Sequence, residues 1–491
     1  MLFTTTTFAF LYLPVVLAVF FLLGHRSPSQ AATWLFAASL FFYGYWMPEF
    51  TLLLLASIAF NFLVGQRLTT ARWRRNWWLA GGIAVNLAAL AYFKYFNFFI
   101  DNLNALAGTQ WQLARIALPI GISFFTFTQI AYLVDTWEGK VQETRPVHYG
   151  LFVTFFPHLI AGPVLHHAQM MPQFADASVY RFNRGHFTAG MAIFCIGLFK
   201  KIVLADGIAP YADAVFIPVD AGASVGAMEA WIGAAAYTLQ LYFDFSGYSD
   251  MAIGLSWMFN IRLPYNFDSP YKATSISDFW RRWHISLSTF LRDYLYIALG
   301  GNRKGAVRRY LNLAATMVLG GLWHGASWSF VIWGTLHGAY LMANHGFKAL
   351  MQRLGWSAPL ERSRLWRLTG WALTLLCVVV AWVFFRATTL PGAVRMLTAM
   401  AGQSPVGTDP GLLLWNAGLQ PSVALGWCAV LGAVAVLAPN SNTLGRALLA
   451  SLRQASFWRP GMAAVATAAA ISLVLLNEAR DSVSAFIYFN F

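Results

Sequence analysis

Long uncharged stretches separated by short charged loops run through the whole chain. They occupy 3–24, 31–48, 50–66, 116–134, 146–175, 230–243, 310–347, 369–385, 420–445 and 460–477, with further runs at 76–93 and 186–199. A helix needs about 17–25 apolar residues to cross the hydrocarbon core of a bilayer, and only helices and closed barrels satisfy their backbone hydrogen bonds there. These runs are longer than the alternating strands of a barrel. Some are too long for one span and some too short. The pattern therefore predicts an all-α polytopic membrane protein of about 10–12 transmembrane helices with additional interfacial or re-entrant helices. The first run, Phe8 to Gly24, follows seven residues without Lys or Arg and leads straight into further spans, so it reads as a helix of the mature protein and not a secretion signal.

Composition agrees with the pattern. Of 491 residues 58% are hydrophobic and only 11% charged, too few charges to cover a water-facing surface. The 33 Lys and Arg against 19 Asp and Glu give a formal charge of +14, which in a soluble domain would point to nucleic acid. Here the bases sit in loops. The stretches 67–75, 348–367 and 446–459 are basic and are placed in the cytoplasm, while 101–114 and 402–422 carry no base and are placed outside. No nucleic-acid partner is expected. Cys195, Cys377 and Cys428 lie far apart in apolar runs, so neither a disulfide framework nor a thiolate metal site is indicated. With no tandem repeat or low-complexity linker, residues 1–491 read as a single membrane domain.

One charged stretch does not behave as a loop. Residues 272–309 hold eight bases (Lys272, Arg281, Arg282, Arg292, Arg303, Lys304, Arg308, Arg309) and two acids (Asp278, Asp293), too polar to cross hydrocarbon cheaply. Ile276, Trp280, Trp283, Leu287, Leu291, Tyr294 and Leu295 recur at helical spacing, with Ser275 and Asp278 as a capping box and Gly300-Gly301 as a stop. The spacing predicts one amphipathic helix at the cytoplasmic interface, with His284 on its apolar face.

Most of the ten histidines are set aside by position. His25, His148, His186 and His345 lie near predicted loop or span ends, and the adjacent His166 and His167 would point about 100° apart on a helix, poor geometry for sharing a metal. His324 differs. It sits in GGLWHGASW (Gly320 to Trp328) within the 38-residue uncharged run 310–347, and a polar ring at membrane depth is costly enough to mark a function. The plainer reading is a histidine hydrogen-bonded to a neighbouring helix. His337, thirteen residues on, would lie about 20 Å away on a straight helix. The two share a site only if the helix breaks, which Gly320, Gly321 and Gly325 permit.

There is no GxSxG elbow, HExxH, Walker A loop or paired CxxC, and Thr289 stands where an HxxxxD motif beginning at His284 would need its acid. An imidazole without an obvious protein nucleophile remains. That suits acyl transfer from a thioester to a hydroxyl, where the donor brings its own activation and the protein need only deprotonate the alcohol and stabilise an oxyanion.

YFDFSGYSDMAIG (Tyr242 to Gly254), FWRRWHISLSTFLRDYLYIALGGNRKG (Phe279 to Gly305) and GGLWHGASW, with FPHLIAGPV (Phe156 to Val164) and the terminal FIYFNF (Phe486 to Phe491), resemble the membrane-bound O-acyltransferases, specifically their bacterial alginate O-acetylase-like branch. The resemblance runs nearly end to end. It implies a ring of helices around a thinned centre, with the catalytic histidine at His324 in a tunnel open to both sides and the family's upstream histidine at His284. It also implies acetyl-CoA as a cytoplasmic donor substrate with no tightly bound cofactor, a place in the bacterial inner membrane, and relay of acetyl to periplasmic SGNH-type transferases and exopolysaccharide secretion proteins. Donor-binding candidates are Arg281, Arg282, Arg303, Lys304 and Trp323; for each cation the rival reading is anchoring to membrane lipid. Asp244, Ser246, Tyr248 and Asp250 read as structural partners, orienting a histidine or pairing an arginine.

The expected activity is O-acetylation of an exported polysaccharide such as alginate, with cellulose or another exopolysaccharide as the alternative acceptor. Two readings of other classes stand beside it: a transporter whose histidines relay protons, and a scaffold of a secretion complex that docks through its basic segment.

Overall fold

The computed structural model describes residues 1–70, 74–111, 113–141, 143–160, 162–357, 362–404, 412–454, 459–479 and 486–487. Arg72 of the first basic loop, residues 358–361 of the second, residues 405–411 of the base-free loop 402–422, residues 455–458, Ala161 of FPHLIAGPV and the last four residues of FIYFNF lie outside the described residues.

Among the described residues every regular element is helical. Among the described residues five helices are long and apolar enough to cross a bilayer, Thr7–Arg26, Pro48–Thr70, Arg75–Ala107, Arg184–Asp220 and Arg364–Arg386, and Pro421–Leu437 with the helix after it makes up to six. The other apolar runs build shorter or broken pieces. Residues 116–134 contribute to a 16-residue helix, Ile122–Trp137; 146–175 divides into two nine-residue helices, Pro146–Thr154 and His167–Ala175; 310–347 becomes two helices joined by a bend. Apolar composition reports depth, not continuity, since broken helices persist at membrane depth where protein surrounds them.

The chain forms two compact units. The first comprises Met1–Phe199, Gly247–Tyr265 and Ser441–Asn490. An aromatic cluster of Phe3, Phe8, Tyr12, Phe42 and Phe156 fills part of its core, with neighbouring ring centroids from 5.0 to 6.4 Å apart. One close helix crossing in it is made by glycine. A Cβ on Gly190 would lie 2.6 Å from the Gly254 carbonyl oxygen, and one on Gly197 would lie 2.6 Å from that of Gly247. Gly190 and Gly197 thus let their helix touch the backbone of the YFDFSGYSDMAIG block, the usual means of close helix packing in membranes.

The second unit comprises Lys200–Ser246 and Asn266–Asn440 and holds the histidine motifs. Its centre is a hairpin of the helices Gly305–His324 and Trp328–Arg353. Here too glycine sets the spacing: a Cβ on Gly321 would meet the Phe330 oxygen at 2.2 Å, and one on Gly334 the Met317 oxygen at 2.4 Å.

The single helix expected over 272–309 is not formed. The chain makes Ile276–Arg282, breaks at Trp283 and His284, resumes as Ile285–Phe290, and closes with a π-helical turn, Leu291–Tyr296. The Ser275 cap is present, its Oγ accepting the Asp278 N–H at 3.2 Å. The break has a cause outside the segment. Asp268 N–H donates to the Arg282 carbonyl (2.9 Å), Ile285 N–H to the Asn266 carbonyl (3.0 Å), and the Ser286 N–H and Oγ to Asn266 Oδ1 (3.3 and 2.6 Å). Residues 266–268 thereby take backbone groups that would otherwise continue the helix.

Candidate functional site

His324 is the last residue of its helix, and Gly325 beside it adopts extended backbone before the return helix begins at Trp328. A side chain at Gly325 would meet the Phe330 ring at 2.1 Å, so the bend closes over that phenylalanine only with glycine in place. The imidazole is buried, 2% exposed, and its surroundings are aromatic. Trp323, Trp333 and Phe385 have ring centroids 4.9, 5.0 and 5.2 Å from it.

The bend brings two histidines of this run, His324 and His337, to one tryptophan. His337 lies 4.8 Å from Trp333, which also faces His324. His337 is fixed by its neighbours: Trp280 Nε1–H donates to its Nδ1 at 3.2 Å, and Phe279 stacks on it at 6.2 Å.

His284 reaches the same place from the broken segment. Its ring centroid is 6.4 Å from that of His324 and 6.0 Å from Trp323, and Phe245 meets it edge-on at 4.8 Å. It is fully buried, and burial pushes its imidazole down to about 3, so the ring is neutral at physiological pH. It does not ride on a helix face. It occupies the break itself, with a left-handed backbone (φ 43°). A non-glycine residue there costs on the order of 1–3 kcal/mol and persists where its surroundings over-determine it, as the 266–268 contacts do.

The proposed cations divide. Arg282 is held by Asp278 (3.0 Å) and donates to the Asp268 carbonyl (3.1 Å). Arg281, Arg303 and Lys304 are exposed. Trp323 lines the site beside both histidines. Among the described residues, no three His, Cys, Asp or Glu side chains converge as metal ligands.

The acidic block resolves into separate duties. Asp244 is buried and pairs with Lys201 at 2.7 Å, and Lys201 also binds Asp206 at 2.8 Å. Asp244 is thus paired with a lysine. Ser246 is buried; Asp250 accepts from Ser441 Oγ at 3.0 Å, and Tyr248 stacks on Phe3 at 5.1 Å. The block's contribution to the histidines is Phe245, which the sequence reading passed over. Trp333, Phe385 and Asn266 were missed as well. Trp333 had a signal, nine residues after His324 in the same uncharged run; Asn266 and Phe385 had none, because their roles depend on distant chain.

Residues 42–385 match the family model described as MBOAT, membrane-bound O-acyltransferase family. The "Peptidoglycan O-acetyltransferase" of Helicobacter pylori is 42% identical over 435 residues, covering 83% of this chain and 81% of that protein. The "Probable alginate O-acetylase" of Pseudomonas aeruginosa is 44% identical over 408 residues, covering 82% and 75%. A more distant relative, the "Teichoic acid D-alanyltransferase" of Bacillus subtilis, is 26% identical over 245 residues, covering 48% and 61%.

Proposed function

The chain belongs to the membrane-bound O-acyltransferase family, in its alginate O-acetylase-like branch, and is a multi-pass membrane O-acetyltransferase; from that premise we propose that it moves acetyl from cytoplasmic acetyl-CoA across the bacterial inner membrane for O-acetylation of an exported polysaccharide. The observation that carries the reading is the meeting of His284 and His324, from separate segments, at 6.4 Å in a buried aromatic setting.

In this reading a nitrogen of His324 takes the proton of an acceptor hydroxyl while that oxygen attacks the thioester carbonyl carbon. The tetrahedral adduct then expels the coenzyme thiolate as the C–S bond breaks, and the imidazolium returns the proton to sulfur. His284, neutral, positions the donor or accepts a hydrogen bond from it. Trp323 packs on the acyl end, while Arg281, Arg303 and Lys304 draw the phosphates of the donor. Arg282 serves mainly to hold the segment, since it is already paired. The immediate acceptor is a hydroxyl of a periplasmic SGNH-type transferase acting with the secretion proteins. An alginate-like polymer fits the 44% relative, with peptidoglycan, cellulose or another exported glycan as the alternative.

The test is purified protein with radiolabelled acetyl-CoA, wild type beside His324→Ala. Acetyl release or transfer that disappears in the variant supports the reading. Equal turnover in both removes His324 from the chemistry, and no turnover by a folded, donor-binding wild type means that an absent partner supplies the acceptor or that the transport reading returns.

A further inference from the structure

Among the features the acyl-transfer reading leaves unused is an open groove of about 520 Å³ on the second unit, lined by Lys272, Thr274, Arg364, Arg367, Leu368 and Trp371 together with Val436. Three separate stretches build it and are fastened to one another. Trp371 Nε1–H donates to the Tyr271 carbonyl at 2.8 Å, and Lys272 Nζ donates to the Ala438 carbonyl at 2.8 Å, just past the helix Pro421–Leu437. A Cβ on Gly370 would lie 2.7 Å from the Thr274 oxygen, so the helix Arg364–Arg386 is pressed against the turn at 270–274. The groove is therefore a fixed concavity between backbone segments, not a gap between mobile side chains.

Its chemistry is lopsided. Among the described residues three cations line it and no carboxylate does. Among the described residues neither Arg364 nor Arg367 has an ion-pair partner, and Lys272 spends one of its three donors on Ala438. The opposite wall is apolar and continues onto a hydrocarbon-facing surface. Leu365, Leu368, Leu373 and Leu376 of the candidate span Arg364–Arg386 are 70, 59, 62 and 45% exposed. The groove thus joins a triply cationic end to an apolar flank at the first turns of a spanning helix, with Trp371 between. Basic pockets between membrane helices take anionic headgroups, and Trp favours that depth.

We propose that this groove binds an anionic phospholipid, its phosphate held by Lys272, Arg364 and Arg367 and the start of its acyl chain laid along Leu368, Trp371 and Val436. A soluble phosphate would meet the cations equally well but would leave the apolar wall uncovered, and the charge complementarity together with that wall selects the lipid. General attraction of basic loops to an anionic surface needs no concave site and predicts no difference between one pair of cations and another.

The experiment is native mass spectrometry of the full-length protein in detergent, titrated with phosphatidylglycerol, phosphatidylcholine or glycerol 3-phosphate. Wild type, Arg364→Gln/Arg367→Gln, the single variant Arg367→Gln, and a control of equal charge loss, Lys348→Gln/Arg353→Gln, are compared. The expected result is preferential retention of phosphatidylglycerol by wild type and control, weakened about 30-fold in the double variant and about fivefold in the single one. Both substituted residues are exposed on a first helical turn, and an unchanged melting temperature in lipid-free detergent shows that the fold is intact; if the double variant melts early, the single variant carries the test. Equal losses in the control, or no preference over phosphatidylcholine, overturn the site. Displacement of the lipid by millimolar glycerol 3-phosphate would reassign it to soluble phosphates and overturn the lipid assignment.

Discussion

Two buried polar regions of the second unit solve opposite problems. In one, Lys201 is clasped by Asp206 and Asp244 at 2.8 and 2.7 Å, so that each charge is met by protein. In the other, His284 and His324 are walled by Trp323, Trp333, Phe245 and Phe385. A charge that its neighbours already answer is a device of folding. The two imidazoles stand among aromatic rings, which exclude water from around them. Under the acyl-transfer proposal, cutting each region therefore does different damage.

The sharpest way to break the comparison is to cut both regions. His324→Ala should lower acetyl transfer by about 10²–10⁴-fold, the usual worth of a general base, while the melting temperature in detergent stays within a few degrees. Lys201→Met should do the reverse kind of damage: two carboxylates left buried cost ~3–5 kcal/mol, read as a large drop in melting temperature and in the amount of protein inserted. If Lys201→Met instead melts normally and fails only in transfer, the ion cluster belongs to the chemistry and the comparison collapses.

Gly321→Ala tests whether the hairpin sets the site. Its Cβ would fall 2.2 Å from the Phe330 oxygen, so the helices must part, at about 1–3 kcal/mol, and transfer should fall together with stability. A smaller effect concerns acid. His284 holds its proton affinity near 3 in the fold against about 6.5 in the unfolded chain, so below that value the unfolded state binds the extra proton and stability falls as pH is lowered. Melting curves from pH 7 to 5 should show the fall in wild type and a shallower one in His284→Gln; parallel curves would mean the ring is not the titrating group. Smallest of all, Arg282→Gln should shift stability by less than about 1 kcal/mol, as expected for a half-exposed pair, and leave the KM for acetyl-CoA unchanged, whereas Arg281→Gln should raise it.

How much of this was legible depends on how local its cause is. The break after His324 could be read from three glycines crowded around one imidazole, and the Ser275 cap from its spacing to Asp278. The placement of His284 could not. Its neighbours recur at helical intervals, and periodicity has no means of registering that Asn266 and Asp268 would take the hydrogen bonds of residues 282–286. Asp244 shows the same limit. Its cost in an apolar run was plain, but the lysine that meets it lies at the far edge of another run, 43 positions earlier (244 − 201). An apolar run is silent in a related way about where a helix breaks, since 146–175 and 310–347 each divide into two helices.

The seam at Gly190, Gly197 and Gly254 also has a meaning for heredity. A Cβ on Gly190 or Gly197 would lie 2.6 Å, and one on Gly254 2.5 Å, from a facing backbone oxygen, so even alanine is too large, while exposed positions such as Val465 and Leu475, 71 and 51% exposed, can drift among apolar types. A population of related sequences should therefore carry these three glycines unchanged inside otherwise freely varying helices, a pattern kept by space alone.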